Sequence, residues 1–402
     1  MRSLRVGLFL GARGVVRGNR GVAVLTTLMM LLIYASLLFL PSLIQGAVNR
    51  VNEQLVDTQT SDIVITASGK GSTIDDVATY LSQIQGTKGV ADATSVYRIG
   101  SQISYGANSG SWPVLAIDPA GYAQVFTTPQ NVFAGSYLSQ AAPDQVFMGI
   151  GVAGAGQTGI RGYRTSLKSV QVGDQVSITL DNGKSYGFNV LGIYDNQFPL
   201  SDGDAFMSML QAQQLLPGIA DQATTIYVKT QPGVNVSQVE DRLGKVRGGM
   251  TFETSADLGT TVADQVATFN LISDILKVVS LLMAAITIFM VTYVDLVSRR
   301  RQIGIERAIG ITSTAVVFSY LLKALAYAAA GVAFGLLVFL YVITPLVEQH
   351  PFQFPNGPVT LAATWGEMVG DLLILAAVSA AAALIPSIRA THLRLLDAIW
   401  SN

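Results

Sequence analysis

The chain has 402 residues, of which 50% are hydrophobic and only 13% are charged, and its formal net charge is −1. Charge this sparse is unusual for a soluble protein, so the composition indicates a membrane protein. The absence of cysteine excludes disulfides, zinc–thiolate sites and thiol nucleophiles.

Residues 1–21 combine arginines with an apolar stripe, which predicts a cytoplasmic amphipathic helix. The stripe consists of Leu4, Leu8, Phe9, Ala12, Val15 and Val16, and the basic residues are Arg2, Arg5, Arg13, Arg17 and Arg20. Residues 22–44 then form an apolar run long enough to cross about 30 Å of hydrocarbon. This run is longer than a signal-peptide core and no cleavage site follows it, so we interpret it as an uncleaved first span.

Residues 45–270 predict a large mixed α/β domain outside the cytoplasm. "SDIVITAS" from Ser61 is typical of a strand, and "TIDDVATYLSQIQG" from Thr73 is typical of an amphipathic helix. "WPVLAIDP" from Trp112 is another strand, and Asn182-Gly183 between two alternating runs predicts a hairpin. "TTIYVKTQPGVNVSQVEDRLGKV" predicts a strand, a turn and a helix.

Two motifs in this domain imitate nucleotide sites. "NGKS" at Asn182 lacks the first glycine of a phosphate-binding loop, and "GIGVAG" at Gly149 is not followed by a helical pattern. The two histidines, His350 and His392, fall on predicted opposite sides of the membrane, which argues against a histidine triad or a two-histidine metal site within one chain. The acids are spread without a basic block, so the domain does not suggest a nucleic-acid surface.

Three further spans are predicted at 271–298, 316–347 and 368–388, separated by a connection at 299–313 and a loop at 348–367 and followed by a tail at 389–402. Arginines lie before span one, in the connection and after span four, which places both termini and the connection in the cytoplasm. The fold class is therefore an α-helical membrane protein with four transmembrane helices and a mixed α/β extracytoplasmic domain inserted between the first two. Lys277 and Lys323 lie inside apolar runs, and we interpret both as snorkelling, with Asp274 an i,i+3 neighbour of Lys277.

The connection, "RRRQIGIERAIG" from Arg299, contains more than a stop-transfer signal needs. Gly304 is expected to let the chain turn out of span two, and Ile305, Ala308 and Ile309 would share one helix face. Arg300 and Arg307 would lie on another face. In span three, "GVAFG" presents Gly331 and Gly335 for close helix packing or dimerisation.

"SRRRQIGIERAIGITSTAVV" resembles the signature after the second span of MacB/FtsX-type ABC transporter permeases, the type VII ABC superfamily. "VQVGDQVSI" with "FNVLGIYD" is similar to the periplasmic core domain of that family, and "LIPSIRATHLRLLDAIW" is similar to its C-terminal ending. Gln302, Glu306 and Leu396 depart from the usual pattern. The resemblance divides residues 45–270 into a porter-like α/β part at about 55–130 and 225–262 and an inserted β-rich part at about 131–224.

The resemblance implies a non-catalytic permease subunit in the inner (cytoplasmic) membrane, with a coupling helix that docks on a separate ABC ATPase dimer. The coupling residues would be Arg300, Arg301, Gln302, Ile303, Gly304, Ile305, Glu306, Arg307, Ala308, Ile309 and Gly310. ATP and Mg²⁺ would be bound by the ATPase, and this chain would bind no cofactor or metal itself. The implied partners are a second permease copy, identical or related, the lipid bilayer and an adaptor or other protein outside the cytoplasm, but no nucleic acid.

Three functions fit the sequence. In the first, ATP hydrolysis moves the extracytoplasmic domain to export a substrate by mechanotransmission. In the second, an FtsX-like transmitter activates a cell-wall hydrolase without transport. In the third, the spans anchor an outer enzyme or adhesion protein. The missing catalytic groups weaken the third, and an outer domain of about 225 residues favours export over the second.

Overall fold

The computed structural model describes residues 7–9, 11, 20–69, 72–140, 143–155, 166–258, 260–354 and 357–391. Most of the predicted helix at 1–21, and the tail after residue 391 with His392 and Leu396, lie outside these residues. The chain forms two compact units. The membrane unit comprises Met1–Val48, Gln265–Phe352 and Val359–Asn402, and the sheet unit comprises Asn49–Asp264 and Gln353–Pro358.

The described helices, in chain order, are α1 Arg20–Leu55, α2 Val77–Gln85, α3 Pro119–Val125, α4 Ile150–Ala153, α5 Met209–Leu215, α6 Val236–Leu243, α7 Ser255–Leu258, α8 Thr260–Ser298, α9 Arg300–Ala308, α10 Ser313–Val338, α11 Thr344–Gln349 and α12 Trp365–Thr391. Short π-helical turns at Val56–Thr60 and Phe339–Ile343 follow α1 and α10.

The described strands are β1 Ile63–Ala67, β2 Ile74–Asp75, β3 Val90–Ile99, β4 Ser101–Tyr105, β5 Asn108–Ser111, β6 Val114–Ile117, β7 Val132–Gly135, β8 Gln145–Gly149, β9 Gln175–Leu180, β10 Ser185–Tyr194, β11 Ala205–Ser208, β12 Gln222–Ala223, β13 Thr225–Thr230, β14 Met250–Thr254, β15 Phe352–Phe354 and β16 Gly357–Val359.

Four helical segments of the described chain are long and apolar enough to cross a membrane: Arg20–Thr60, Val266–Ser298, Ser313–Gln349 and Trp365–Arg389. Four membrane helices with a mixed α/β domain inserted between the first two confirm the predicted fold class. The core of the bundle contains Tyr34 of α1, Ile288 of α8, Ala328 of α10 and Leu375 of α12. Since these residues come from all four spans, the spans pack around a common core.

The sheet unit contains a mixed sheet in the order β14-β1-β13-β3-β6-β11-β8-β10-β9-β4-β5, with β7 also paired to β10. Neighbours are antiparallel except for the parallel pairs β6–β11 and β8–β10. β9 and β10 form the hairpin predicted at Asn182-Gly183, which is confirmed. Gly183 has φ +75°, a left-handed conformation that favours glycine, and the Asn182 side chain accepts a 2.9 Å hydrogen bond from the Lys184 amide.

Two details of the sheet unit differ from prediction. The helix predicted from Thr73 begins only at Val77, because Ile74 and Asp75 pair with β12 as a short strand. β4 and β5 precede residue 131 but pair with β9 or with each other, and Ile103 shares a buried core with Ile178. Residues 101–111 therefore adjoin β9 of the predicted inserted part within the sheet.

Candidate functional site

The connection between the second and third spans is a separate short helix, α9. The backbone of Arg299, with φ −108° and ψ 10°, interrupts the helical path between α8 and α9. Gly304 lies inside α9 and is buried, so the prediction that Gly304 makes the turn is wrong. The helical path is interrupted five residues earlier, at Arg299. The Arg299 amide donates to the Asp295 carbonyl at 3.1 Å, and Arg299 Nε donates to the Asp295 carboxylate at 3.0 Å.

α9 has one buried side and one exposed apolar side. Ile303 is 7% exposed and packs with Leu296 of α8 and Val316 of α10. Ile305 and Ile309 are 51% and 75% exposed, and Ala308 between them is also exposed. The three residues predicted to share a face thus form one exposed surface, which we call the α9 face. This apolar surface belongs to a helix that is not one of the four apolar spans.

A glycine-dependent cap ends α9 and redirects the chain into α10. The Ile311 amide donates to the Glu306 carbonyl and the Gly310 amide to the Arg307 carbonyl, each at 3.1 Å. This pair of bonds defines a Schellman motif, whose left-handed residue is Gly310 with φ +99°. The Thr312 hydroxyl then caps the start of α10 by accepting from the Ala315 amide at 3.4 Å. The connection is therefore a tight turn with defined hydrogen bonds.

A buried ionic cluster joins α8, α10 and the start of α9. The Asp295 carboxylate accepts hydrogen bonds from Lys323 Nζ at 2.6 Å and from Arg299 Nε at 3.0 Å. The side chains of Asp295 and Lys323 are each 12% exposed. Lys323 Nζ also lies 5.9 Å from the ring centroids of Tyr320 and Tyr327. Lys323 is paired within the bundle, so its interpretation as a snorkelling lysine is wrong.

A small cavity of about 80 Å³ lies beside this cluster, lined in part by Gln302 and Glu306. Burial raises the pKa of the Glu306 carboxyl, and the nearby Arg299 guanidinium partly offsets that rise. Gln302 and Glu306, the two departures from the family pattern within α9, thus face the ionic cluster and not the α9 face. Arg300 and Arg301 are exposed.

The remaining predicted site residues, Gly331 and Gly335, lie on α10 against α1. A Cβ added at Gly331 would lie 2.3 Å from Cβ of Met30, and one at Gly335 would lie 3.1 Å from the Leu31 carbonyl oxygen. In this chain both glycines allow close approach of α10 to α1. Among the described residues, no group of three or more metal-ligating side chains could hold a metal ion.

Comparison with protein families matches the chain over both of its units. Residues 23–246 match the MacB-like periplasmic core domain, and residues 275–395 match the FtsX-like permease C-terminal domain. The chain belongs to the MacB/FtsX-type ABC transporter permeases. This permease is a multi-pass membrane protein with an extracellular domain.

Three solved structures are similar to about half of this permease. The periplasmic region of MacB from Actinobacillus actinomycetemcomitans is 11% identical, with a TM-score of 0.37, and the match covers 53% of this chain and 97% of that one. The extracellular domain of the noncanonic ABC-type transporter YknZ from Gram-positive bacteria is 9% identical, with a TM-score of 0.35 and coverage of 48% and 100%. A domain of a putative permease from Porphyromonas gingivalis is 15% identical, with a TM-score of 0.32 and coverage of 48% and 87%. No curated protein matches.

Sequence reasoning missed the ionic cluster. A usable signal was present, because Asp295 and Lys323 are charges inside apolar runs, where an ionisable residue normally faces the bundle interior and has a partner. Pairing them requires knowing that α8 and α10 are neighbours at that depth.

Proposed function

We propose that this permease couples to a separate ABC ATPase through the α9 face. The observation that carries the proposal is the exposed apolar surface of Ile305, Ala308 and Ile309 on a helix whose opposite side is fixed by buried Ile303. Fully burying an isoleucine side chain contributes about 1.5–3 kcal/mol, so covering these two residues would favour docking of the helix in an apolar groove. The ionic cluster at Asp295 would transmit movement of α9 to α8 and α10.

The proposal includes a topology and a set of partners. Arg299, Arg300, Arg301 and Arg307 cluster at the connection, which supports a cytoplasmic location for α9 and for both termini in the inner membrane. ATP and Mg²⁺ are then bound by the ATPase dimer, and this chain is non-catalytic and binds no cofactor. Four spans are few to enclose a path, so a second permease copy, identical or related, completes the complex. An adaptor outside the cytoplasm is a further candidate partner.

We propose export by mechanotransmission as the output, since the inserted domain is large. The second candidate, an FtsX-like transmitter that activates an extracytoplasmic cell-wall hydrolase, shares the same coupling step. The two differ in whether a substrate leaves the cell. ATP-dependent extrusion from cells or vesicles containing the complex supports export, whereas ATP-dependent hydrolase activation without extrusion supports signalling.

The coupling step is tested by co-expression with the cognate ATPase. The permease alone should hydrolyse no ATP, and the complex should co-purify with ATPase activity. Ile305→Asp or Ile309→Asp places a carboxylate in an apolar contact and should reduce the co-purified ATPase about tenfold or more.

Two controls make the result specific. Ile305→Leu keeps the apolar face and should retain the ATPase. Thr314→Asp adds the same charge in the first turn of α10, where a helix tolerates an acid, and should retain it as well. Retention of the ATPase by both Ile305→Asp and Ile309→Asp would refute docking through the α9 face.

A further inference from the structure

The membrane unit contains a larger cavity, of about 340 Å³, at the end opposite α9. We call this the insertion end, because there the chain leaves α1 near Gln45 and re-enters the bundle on α8 near Asn270. The cavity lies between α1, α8 and α12, and its size falls at the lower end of the range of small-molecule sites, roughly 300–1,000 Å³. The lining residues used below come from all three helices.

α8 turns a polar stripe toward this cavity. Asn270, Ser273, Asp274 and Lys277 line it and follow the i, i+3, i+4, i+7 spacing of one helix face. Around them the outward residues of α8 are apolar and exposed, for example Leu271, Ile275 and Val278. A polar stripe on an otherwise apolar membrane helix is energetically unfavourable unless it serves a partner or a ligand.

The charges in the cavity are unbalanced. Asp274, Glu367 and Asp371 contribute three carboxylates, and Lys277 contributes one ammonium. Lys277 Nζ lies 3.7 Å from Asp371 Oδ1, which is an ion pair beyond hydrogen-bond distance. Glu367 accepts from the Thr364 amide at 3.0 Å and caps α12. Among the described residues, Asp274 has no ion-pair partner, since the i,i+3 pairing expected with Lys277 is replaced by Asp371 on α12.

A second observation points independently to a ligand. Ser273 is only 9% exposed, lines the cavity, and makes no hydrogen bond with any described residue. The hydroxyl of a largely buried serine in a helix usually finds a partner, as the Ser42 hydroxyl does by donating to the Leu38 carbonyl at 2.5 Å. The Ser273 hydroxyl and the Asp274 carboxylate are adjacent on one face, so together they present unoccupied acceptors to the cavity.

The walls of the cavity are held in place. Tyr34 of α1 donates a 3.0 Å hydrogen bond to the Met368 carbonyl of α12, and the Ala362 amide donates to the Ser42 carbonyl at 2.9 Å. Leu38, Pro41 and Met368 supply apolar surface beside the polar groups. A ligand therefore meets acceptors on α8 and an apolar wall on α1 and α12, without first having to open the bundle.

From this geometry we infer that the insertion-end cavity is a binding site for an organic ammonium carried on a short apolar chain. Carboxylate excess selects a cation, the Ser273 hydroxyl and Asp274 carboxylate accept hydrogen bonds from an N–H donor, and the apolar wall covers the attached carbons. The site goes beyond the proposed coupling to an ATPase. It is tested on the permease alone, so its failure leaves the α9 proposal untouched.

The test uses the full chain in nanodiscs of zwitterionic phosphatidylcholine, with binding measured by isothermal titration calorimetry at constant ionic strength. Three probes separate the contributions: hexylammonium, ethylammonium and neutral 1-hexanol. Hexylammonium is expected to bind at least about tenfold more tightly than hexanol, because only the cation forms charge-assisted hydrogen bonds. Tighter binding of hexylammonium than of ethylammonium identifies a membrane amphiphile as the source, and equal binding identifies a water-borne ammonium.

Variants locate the site. Asp274→Asn changes an exposed residue and should weaken hexylammonium binding about tenfold or more, and Ser273→Ala should weaken it severalfold. Glu348→Gln removes an exposed carboxylate outside the cavity lining and should leave affinity unchanged. Absence of hexylammonium binding, equal binding of hexanol, or equal losses in Asp274→Asn and Glu348→Gln would each overturn the inference.

Discussion

The two ends of the membrane unit each hold an aspartate opposite a lysine on a neighbouring helix, but the pairs differ in distance and burial. Near α9, Asp295 accepts hydrogen bonds from Lys323 at 2.6 Å and Arg299 at 3.0 Å, and the Lys323 side chain is 12% exposed. At the insertion end, Asp371 lies 3.7 Å from Lys277, whose side chain is 30% exposed.

The difference in distance distinguishes a contact that holds two helices together from an adaptable contact, whose groups can bond elsewhere. Distances of 2.6–3.0 Å are hydrogen bonds, whereas 3.7 Å leaves both groups able to bond elsewhere. The pair near α9 therefore fixes α8 against α10, while the pair at the insertion end borders a cavity with surplus carboxylates. The same two residue types, each inside an apolar helix, serve different purposes because of their distance and surroundings.

The largest expected effect follows from neutralising the carboxylate near α9. Asp295→Asn leaves buried Lys323 without a carboxylate, and removal of one member of a buried pair typically costs about 3–5 kcal/mol. We expect a loss of that order in the free energy of unfolding of the purified full chain. The measurement is unfolding in mixed micelles of a nonionic detergent and dodecyl sulfate.

A double variant provides the control for this prediction. Adding Lys323→Met to Asp295→Asn removes the unpaired ammonium and should recover most of the stability, because Arg299 is one-third exposed and can reach solvent. A loss below about 1 kcal/mol for Asp295→Asn alone would show that the cluster is not the tighter of the two contacts.

The second prediction concerns an ion pair in the sheet unit whose two charged groups lie farther apart than those of the pairs above. Asp204 is 7% exposed, and its cation, Arg98, lies 3.9 Å away with a 57% exposed side chain. Burial raises the pKa of Asp204 from 3.8 to about 7, although Arg98 and a hydrogen bond from Gln59 act to lower it. A cation this distant and solvated compensates the burial of the carboxylate only partly.

The pH dependence follows from that raised pKa. Between pH 3.8 and about 7 the folded state binds a proton that the unfolded state has released, so stability falls as pH rises through this window and levels off above it. From pH 5 to pH 8 the sheet unit should lose about 3 kcal/mol, at 1.36 kcal/mol per pKa unit. Urea unfolding followed by Trp112 fluorescence, with Trp365 and Trp400 replaced by phenylalanine, measures this loss.

Asp204→Asn removes the titrating group, and its stability should change much less over the same pH range. Asp241→Asn, at an exposed position on α6, is the matched control and should keep the wild-type pH profile. An unchanged profile in Asp204→Asn would assign the pH dependence to another group.

Local patterns were sufficient for much of this architecture. Runs of apolar residues predicted the four spans, Asn182-Gly183 predicted the β9–β10 hairpin, and the spacing of Ile305, Ala308 and Ile309 placed them on one face. Each of these features depends on residues close together in sequence, so helix or strand periodicity, or a local turn signal, is enough to predict the feature. The role in docking remains a prediction.

Features that depend on packing between distant segments could not be predicted. Whether Lys277 pairs with Asp274, one turn away, or with Asp371, on α12, depends on how α8 and α12 approach each other. The sequence predicts a bend at Gly304, but the helix break lies at Arg299. A glycine favours a bend without requiring one, so its presence does not locate the break. The pairing of β4 with β9 joins segments about 75 residues apart, and no local pattern in the sequence specifies it.

The smallest expected effect tests the insertion-end pair with the same substitution used near α9. Asp371→Asn should change the free energy of unfolding by about 1 kcal/mol or less, because Lys277 is already beyond hydrogen-bond distance and can turn to solvent. Removing the charge also relieves the desolvation of a carboxylate that is 8% exposed, which offsets the lost attraction. The same micelle unfolding measurement, without added ammonium, compares it directly with Asp295→Asn. A loss as large as that of Asp295→Asn would mean that both pairs are structural contacts, and that 3.7 Å does not mark an adaptable one.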